Sequence, residues 1–247
     1  MKIKPLIIIM LALIACLASC KKAPLSIGEI VTETRDLPNF KEVCLNDDIS
    51  LSLVRSDTCY IVITTGENII GNITTEVSGN VLNICNTSTL NWIRPYNFEL
   101  HATLYYKDIK YLTFSSSGTL DTRNQYNDTT GIYKILIDGG SGDIDLNVKN
   151  CKGVYIQYKY GTSTINLHGR GNKYLNVTKR SYGIIDARNF ETNYVDIENN
   201  SAGDCYIWSR DRIKAEINNL GDIYYRGNPD TISVTYGEFA KGKLLPL

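Results

Sequence analysis

Histidine is nearly missing from this 247-residue chain. His101 and His168 are the only two, and neither has a Cys, Asp or Glu at ligand spacing. This argues against a histidine-based metal centre, and no Ser–His–Asp order can be assembled from the chain. An excess of one charge is missing as well: 26 basic side chains balance 26 acidic ones. With no basic stripe to neutralise phosphates, nucleic acid is not an expected partner. There is no CxxC pair, and nothing calls for a cofactor or a metal. Long apolar runs are also lacking, apart from Leu6–Leu17. That run falls short of the roughly 20 residues a spanning helix needs. Beyond it there is no sustained helical periodicity.

The N-terminus reads as a targeting segment, with Lys2 and Lys4 ahead of the apolar run. It ends in Leu17-Ala18-Ser19-Cys20, which resembles the lipobox of bacterial lipoproteins. The resemblance implies a signal peptide over 1–19, cleavage before Cys20, and acylation of Cys20 as the lipid attachment site. Two or more acyl chains anchor a protein stably, at about 0.8 kcal/mol per buried methylene. Lys21 stands where an inner-membrane lipoprotein typically carries aspartate, so the expected location is the outer membrane. Whether the protein faces the periplasm or the exterior stays open. Residues 20–34 read as a tether, and 35–247 as one domain.

Seventeen tyrosines, six prolines, many Ile, Val and Thr, and regularly placed glycines point to an all-β protein. Residues 35–110 hold several short alternating strands, with a less regular loop or insertion over Asn86–His101 that contains Trp92 and Pro95. From Tyr111 to Leu247 one phrase recurs about six times: a short alternating strand, a turn usually containing Gly, and a second strand. The second-strand residues Leu120, Ile144, Ile165, Ile185, Cys205 and Ile223 are separated by 24, 21, 20, 20 and 18 residues. A period of about 20 residues with two strands suits a β-solenoid of stacked coils. An antiparallel β-sandwich, the competing fold, would not require that period. Alternation sends Ile144, Leu146, Ile165, Leu167, Ile185, Ala187, Cys205 and Ile207 inward.

The opening RDLPNF, the later EVSGNVLNI, the Gly-x-Ile turns and the closing GDIYYRGNP resemble one family over about residues 35–245. It is the autotransporter-adhesin head domain, or head GIN domain. Several turns lack the family's full Gly-Ser-Gly, as at Arg180-Ser181-Tyr182-Gly183. The resemblance implies a right-handed parallel β-helix-like solenoid without catalytic residues, and an adhesion role.

Five cysteines follow Cys20: Cys44, Cys59, Cys85, Cys151 and Cys205. An odd number leaves at least one thiol free and their pairing open. The Gly-rich stretch Asp138–Asp145 superficially matches a calcium-binding nonapeptide, but Ile144 falls where the Asp should be. The outward second-strand positions read Asp121, Asp145, Asn166, Asp186, Tyr206 and Tyr224. Carboxylates there would serve glycoside chemistry only as a pair at defined separation. Tyr206, Trp208 and Tyr224 form the candidate binding face, because exposed aromatics on adjacent coils suit a sugar or a protein interface. A covering loop or neighbouring subunit would equally account for them.

The expectation is a non-enzymatic, lipid-anchored envelope protein that presents its solenoid to a glycan or to an envelope or host protein. A polysaccharide lyase-like enzyme on the same scaffold is the alternative. A structural component that oligomerises through solenoid faces is the third.

Overall fold

The computed structural model describes residues 26–89, 100–124, 126–127 and 132–247. It is 63% strand with almost no helix, wound into a β-solenoid of about six turns with coils of roughly 21 residues. The strands, numbered β1 to β19 along the chain, stack into two parallel ladders.

The first ladder starts with β6 (Val81–Asn86), β2 (Glu42–Asp47), β8 (Tyr111–Ser116), β11 (Ile132–Asp138) and β13 (Gly153–Tyr160). It continues through the second halves of β14 (Ile165–Lys179), β15 (Ile185–Asn199) and β16 (Cys205–Ile217), and ends with β18 (Thr231–Tyr236). The second ladder starts with β7 (Leu100–Tyr106), β3 (Ser50–Arg55), β9 (Leu120–Thr122) and β12 (Ile144–Lys149). The first halves of β14, β15 and β16 follow, then β17 (Ile223–Arg226) and β19 (Leu244–Pro246). A short β10 (Tyr126–Asn127) adds a pairing to β12. In β14–β16 one strand turns the corner between the ladders, with register shifts that bend it there.

The irregular N-terminal part has a topological cause. β2 lies between β6 and β8, and β3 between β7 and β9, so the coil made first is sandwiched by coils made later. That end of the solenoid is then closed by antiparallel strands. β4 (Tyr60–Gly66) pairs with β7, β1 (Ile30–Asp36) with β4, and β5 (Ile73–Ser78) with β6. Three boundaries therefore differ from the sequence reading, the first being Asn86, which closes β6 instead of opening the insertion. Ile30–Thr34, expected in the tether, belong to β1, and Leu100 and His101 belong to β7. Trp92, Pro95, Cys20 and the signal segment lie outside the described residues.

One core runs between the ladders, and the inward residues expected from alternation, Ile144 through Ile207, are all fully buried. Each coil touches only its neighbours, so stability comes from stacking. The inner column also carries polar residues in register: Tyr158, Lys179 and Asn199. They stand at the end of the first ladder, beside the turn where strand pairing stops and carbonyls need other donors. Tyr158 Oη donates to the Ser163 carbonyl at 2.8 Å. Lys179 Nζ donates to the Gly203 and Asp204 carbonyls, and Asn199 Nδ2 to those of Gly203 and Gly221.

The same turns explain two glycines in a way the sequence did not anticipate. Gly183 and Gly203 are not in the positive-φ region. A Cβ on Gly183 would overlap Tyr158 Oη and the Ser163 carbonyl, and one on Gly203 would overlap the Tyr182 carbonyl. Close approach of the neighbouring coil, rather than turn geometry, requires glycine there.

None of the five described cysteines forms a disulfide, and Cys151 and Cys205 are buried. Cys44 sits opposite Asn83, two residues short of Cys85. Strand geometry puts that diagonal pair at roughly 8 Å between Cα atoms, beyond the roughly 7 Å a disulfide tolerates.

Candidate binding face

The outer column of the second ladder holds Asp121, Asp145, Asn166, Asp186, Tyr206 and Tyr224 in unbroken register. Its carboxylates do not converge. Asp121 Oδ1 pairs with Arg123 Nε at 3.1 Å, Asp145 Oδ2 meets His168 Nε2 at 3.3 Å, and Asp186 Oδ1 pairs with Arg188 Nε at 2.8 Å. Among the described residues no three His, Cys, Asp or Glu side chains form a group that could hold a metal.

Folding does bring a serine, a histidine and an aspartate together. Ser52 Oγ lies 3.2 Å from His101 Nε2 and donates to Asp121 Oδ2 at 2.9 Å, while Arg123 Nε donates to Ser52 Oγ at 3.0 Å. The hydroxyl has one proton, and Asp121 takes it. His101 Nε2 must then be the donor toward Ser52, so it cannot also be the base that activates it. The serine stands between the other two, whereas nucleophilic catalysis needs the imidazole in the middle. This cluster ties β3, β7 and β9 together.

The aromatic residues singled out from the sequence do come together. Tyr206 and Tyr224 stack with centroids 5.1 Å apart and planes 12° from parallel. The Arg188 guanidinium lies over Tyr206 at 4.1 Å, and that of Arg226 over Trp208 at 4.2 Å. All three aromatics are half-buried. Tyr206 is flanked by Arg188 from the preceding coil and by Tyr224 from the following one, so its ring faces are occupied within the protein. Tyr224 Oη donates to Asp222 Oδ2 at 3.2 Å, and that carboxylate raises the phenol's pKa above its ordinary value.

The arginines were not anticipated, nor was a second, tilted tyrosine pair on the other side of the corner. There Tyr174 and Tyr194 lie 5.4 Å apart, with the Arg212 guanidinium 5.4 Å from Tyr194. At the corner, Glu191 carries Arg170 Nε at 2.8 Å and Arg210 Nε at 3.7 Å, while Arg212 pairs with Asp196 at 3.1 Å. Arg226 has no ion-pair partner among the described residues. A usable signal was present in the sequence: Arg226 follows Trp208 by 18 residues, the step from Cys205 to Ile223, and Tyr194 follows Tyr174 by 20. The repeat step locates outward partners as well as inward ones.

Solved structures share this architecture. A "putative adhesin" from Bacteroides fragilis superposes with a TM-score of 0.79 at 19% identity, covering 89% of this chain and 97% of that one. A "putative lipid binding protein" from Parabacteroides distasonis gives 0.66 at 18% identity with the same coverage. A "putative adhesin" from Parabacteroides merdae gives 0.57 at 18%, again covering 89% and 97%. At these identities the likeness establishes the fold. No curated protein matches the chain. Residues 39–229 match the family described as "Putative auto-transporter adhesin, head GIN domain", and with more than half of its length matched, the chain belongs to that family.

Proposed function

We propose that this protein is a lipid-anchored, outer-membrane adhesion module that binds a glycan or protein partner through the arginine–aromatic face of its last coils. The observation that carries the reading is Arg226, its guanidinium carbon 4.2 Å from the Trp208 ring centroid and without an acidic partner of its own among the described residues. The cation–π contact holds the guanidinium at the ring while leaving its donors available to a carboxylate or sulfate. Because the faces of Tyr206 are occupied, the partner meets ring edges and guanidinium groups rather than an open aromatic platform. The adhesin family supports a non-enzymatic, cell-envelope role. The lipid anchor rests on the Cys20 motif in the sequence. A polysaccharide-lyase-like activity draws no support from the outer ladder, whose carboxylates are each engaged by a separate side chain, Arg123, His168 or Arg188.

A glycan array and a cell-binding assay with the purified chain test this reading. Trp208→Ala and Arg226→Ala should each lower binding at least tenfold with little change in melting temperature. Binding that survives both substitutions sinks the assignment of this face.

A further inference from the structure

The two ends of the solenoid are finished differently. The inner column Ile213, Ala215 and Ile217 is 0–1% exposed, yet its continuation one coil later is open. There Ile232 is 43% and Tyr236 54% exposed, although they stand in register with Ile213 and Ile217. Phe239 and Leu247 add 75% and 59% exposure around the same end. The core therefore stops one layer short of burial. The strand at that end, β18, reads Thr-Ile-Ser-Val-Thr-Tyr and pairs only with β16 among the described residues. It has no charge and no proline, the devices by which free edges are normally kept from pairing. Its companion β19 is short and carries Pro246. At the opposite end antiparallel strands cover the ladders, and the outermost, β1, carries Glu33, Arg35 and Asp36.

From this asymmetry we infer that the β18 end is a docking surface for a second copy of this chain, joined end to end about a two-fold axis. A two-fold perpendicular to the solenoid axis, running between β18 and its symmetry mate opposite their midpoints, sets the two strands antiparallel. It continues the sheet and lays the two open cores against each other. The rim is balanced in charge, with Asp230 and Glu238 beside Lys241 and Lys243, so like-charge repulsion does not bar an identical partner. Head-to-tail stacking would instead bring β18 against β5, which carries Glu76, and the proline-bearing β19 against the charged edge of β1. The closed dimer is therefore the assembly that fits. It leaves the outward face of Trp208 and Arg226 clear on both copies.

Sedimentation equilibrium of the purified full chain in mild detergent, with hydrogen exchange of β18 across a concentration series, tests the inference. The wild type should have twice the mass of one chain, with β18 amides becoming protected as the dimer forms. Ile232→Lys and Tyr236→Lys place charges at positions already exposed in one chain. Both variants should remain folded and sediment as single chains with β18 unprotected. A wild type that stays a single chain with exchanging β18 amides overturns the inference and leaves the edge to a strand of another protein. Open-ended growth overturns the two-fold, and a dimer that persists in both variants overturns the surface. Loss of glycan or cell binding in the Trp208 and Arg226 variants is read separately and does not bear on the dimer.

Discussion

Arg188 lies over Tyr206 with its guanidinium carbon 4.1 Å from the ring centroid, while Tyr224 on the next coil stacks on the same ring at 5.1 Å. Three successive coils are thus joined on their outer surface by side chains as well as by backbone ladders. Urea unfolding of Arg188→Ala, Tyr206→Ala and the double variant should give a coupling of about 0.5–1 kcal/mol. A coupling indistinguishable from zero would mean the stack follows the fold without supporting it.

Glycine substitutions separate close approach from turn geometry. Gly183→Ala and Gly203→Ala drive a Cβ into the neighbouring coil and should cost about 2–3 kcal/mol or more. Gly71 has no atom within 4 Å of an added Cβ. Gly71→Ala should therefore stay within about 0.5 kcal/mol of wild type or gain slightly. Equal effects at all three positions would refute the crowding argument.

Alkaline pH should weaken the fold through groups that keep their protons inside it. Burial raises Tyr106 and Tyr158 to about 12 and Cys205 to about 11, from ordinary values of 10 and 9. A raised folded-state pKa contributes stability that is intact below the unfolded value and lost as pH climbs through the folded one. The loss runs from about 9 to 12 and amounts to on the order of 1–3 kcal/mol per group. Lys179 acts in the opposite sense: burial lowers its pKa, so its cost as a cation eases as pH rises toward 10.5. Denaturation midpoints from pH 8 to 12 should fall less steeply in Cys205→Ala and Tyr158→Phe. An unchanged slope in both counts against the assignment.

Thiol labelling should follow exposure. In the native chain Cys44, Cys59 and Cys85 should react, while Cys151 and Cys205 should react only after unfolding. Burial raises the pKa of Cys44, which should make it slower than an ordinary exposed thiol. Peptide mapping without reductant should find no disulfide among the five, and one found between any two would contradict the described geometry.

The proposed lipid anchor is assigned to Cys20 on the Leu17–Cys20 motif. Cys20→Ala should abolish incorporation of labelled fatty acid and move the protein out of the membrane fraction. Retention of both label and location would mean the Leu17–Cys20 motif is not a lipobox.

The solenoid was largely legible in the chain, because its two signals are local. Period-two alternation placed Ile144, Leu146, Ile165 and Leu167 inward. The step of about 20 residues aligned Asp121, Asp145, Asn166, Asp186, Tyr206 and Tyr224, an order that the strand registers reproduce. The irregular part misled where local signal is weak, as at Ile30–Thr34, where an exposed antiparallel strand reads like a polar tether.

The sequence alone therefore determined which residues line the core and which point out, since alternation and repeat length are properties of neighbouring positions. Only the tertiary structure decided that β2 and β3 lie between coils made later, that Gly183 faces another coil's carbonyl, and that Tyr206 is covered by Arg188. It also left Ile232 and Tyr236 uncovered at the open end. Each of these depends on which coil stacks against which. That choice is made by long-range pairing between backbones, and no local period records it.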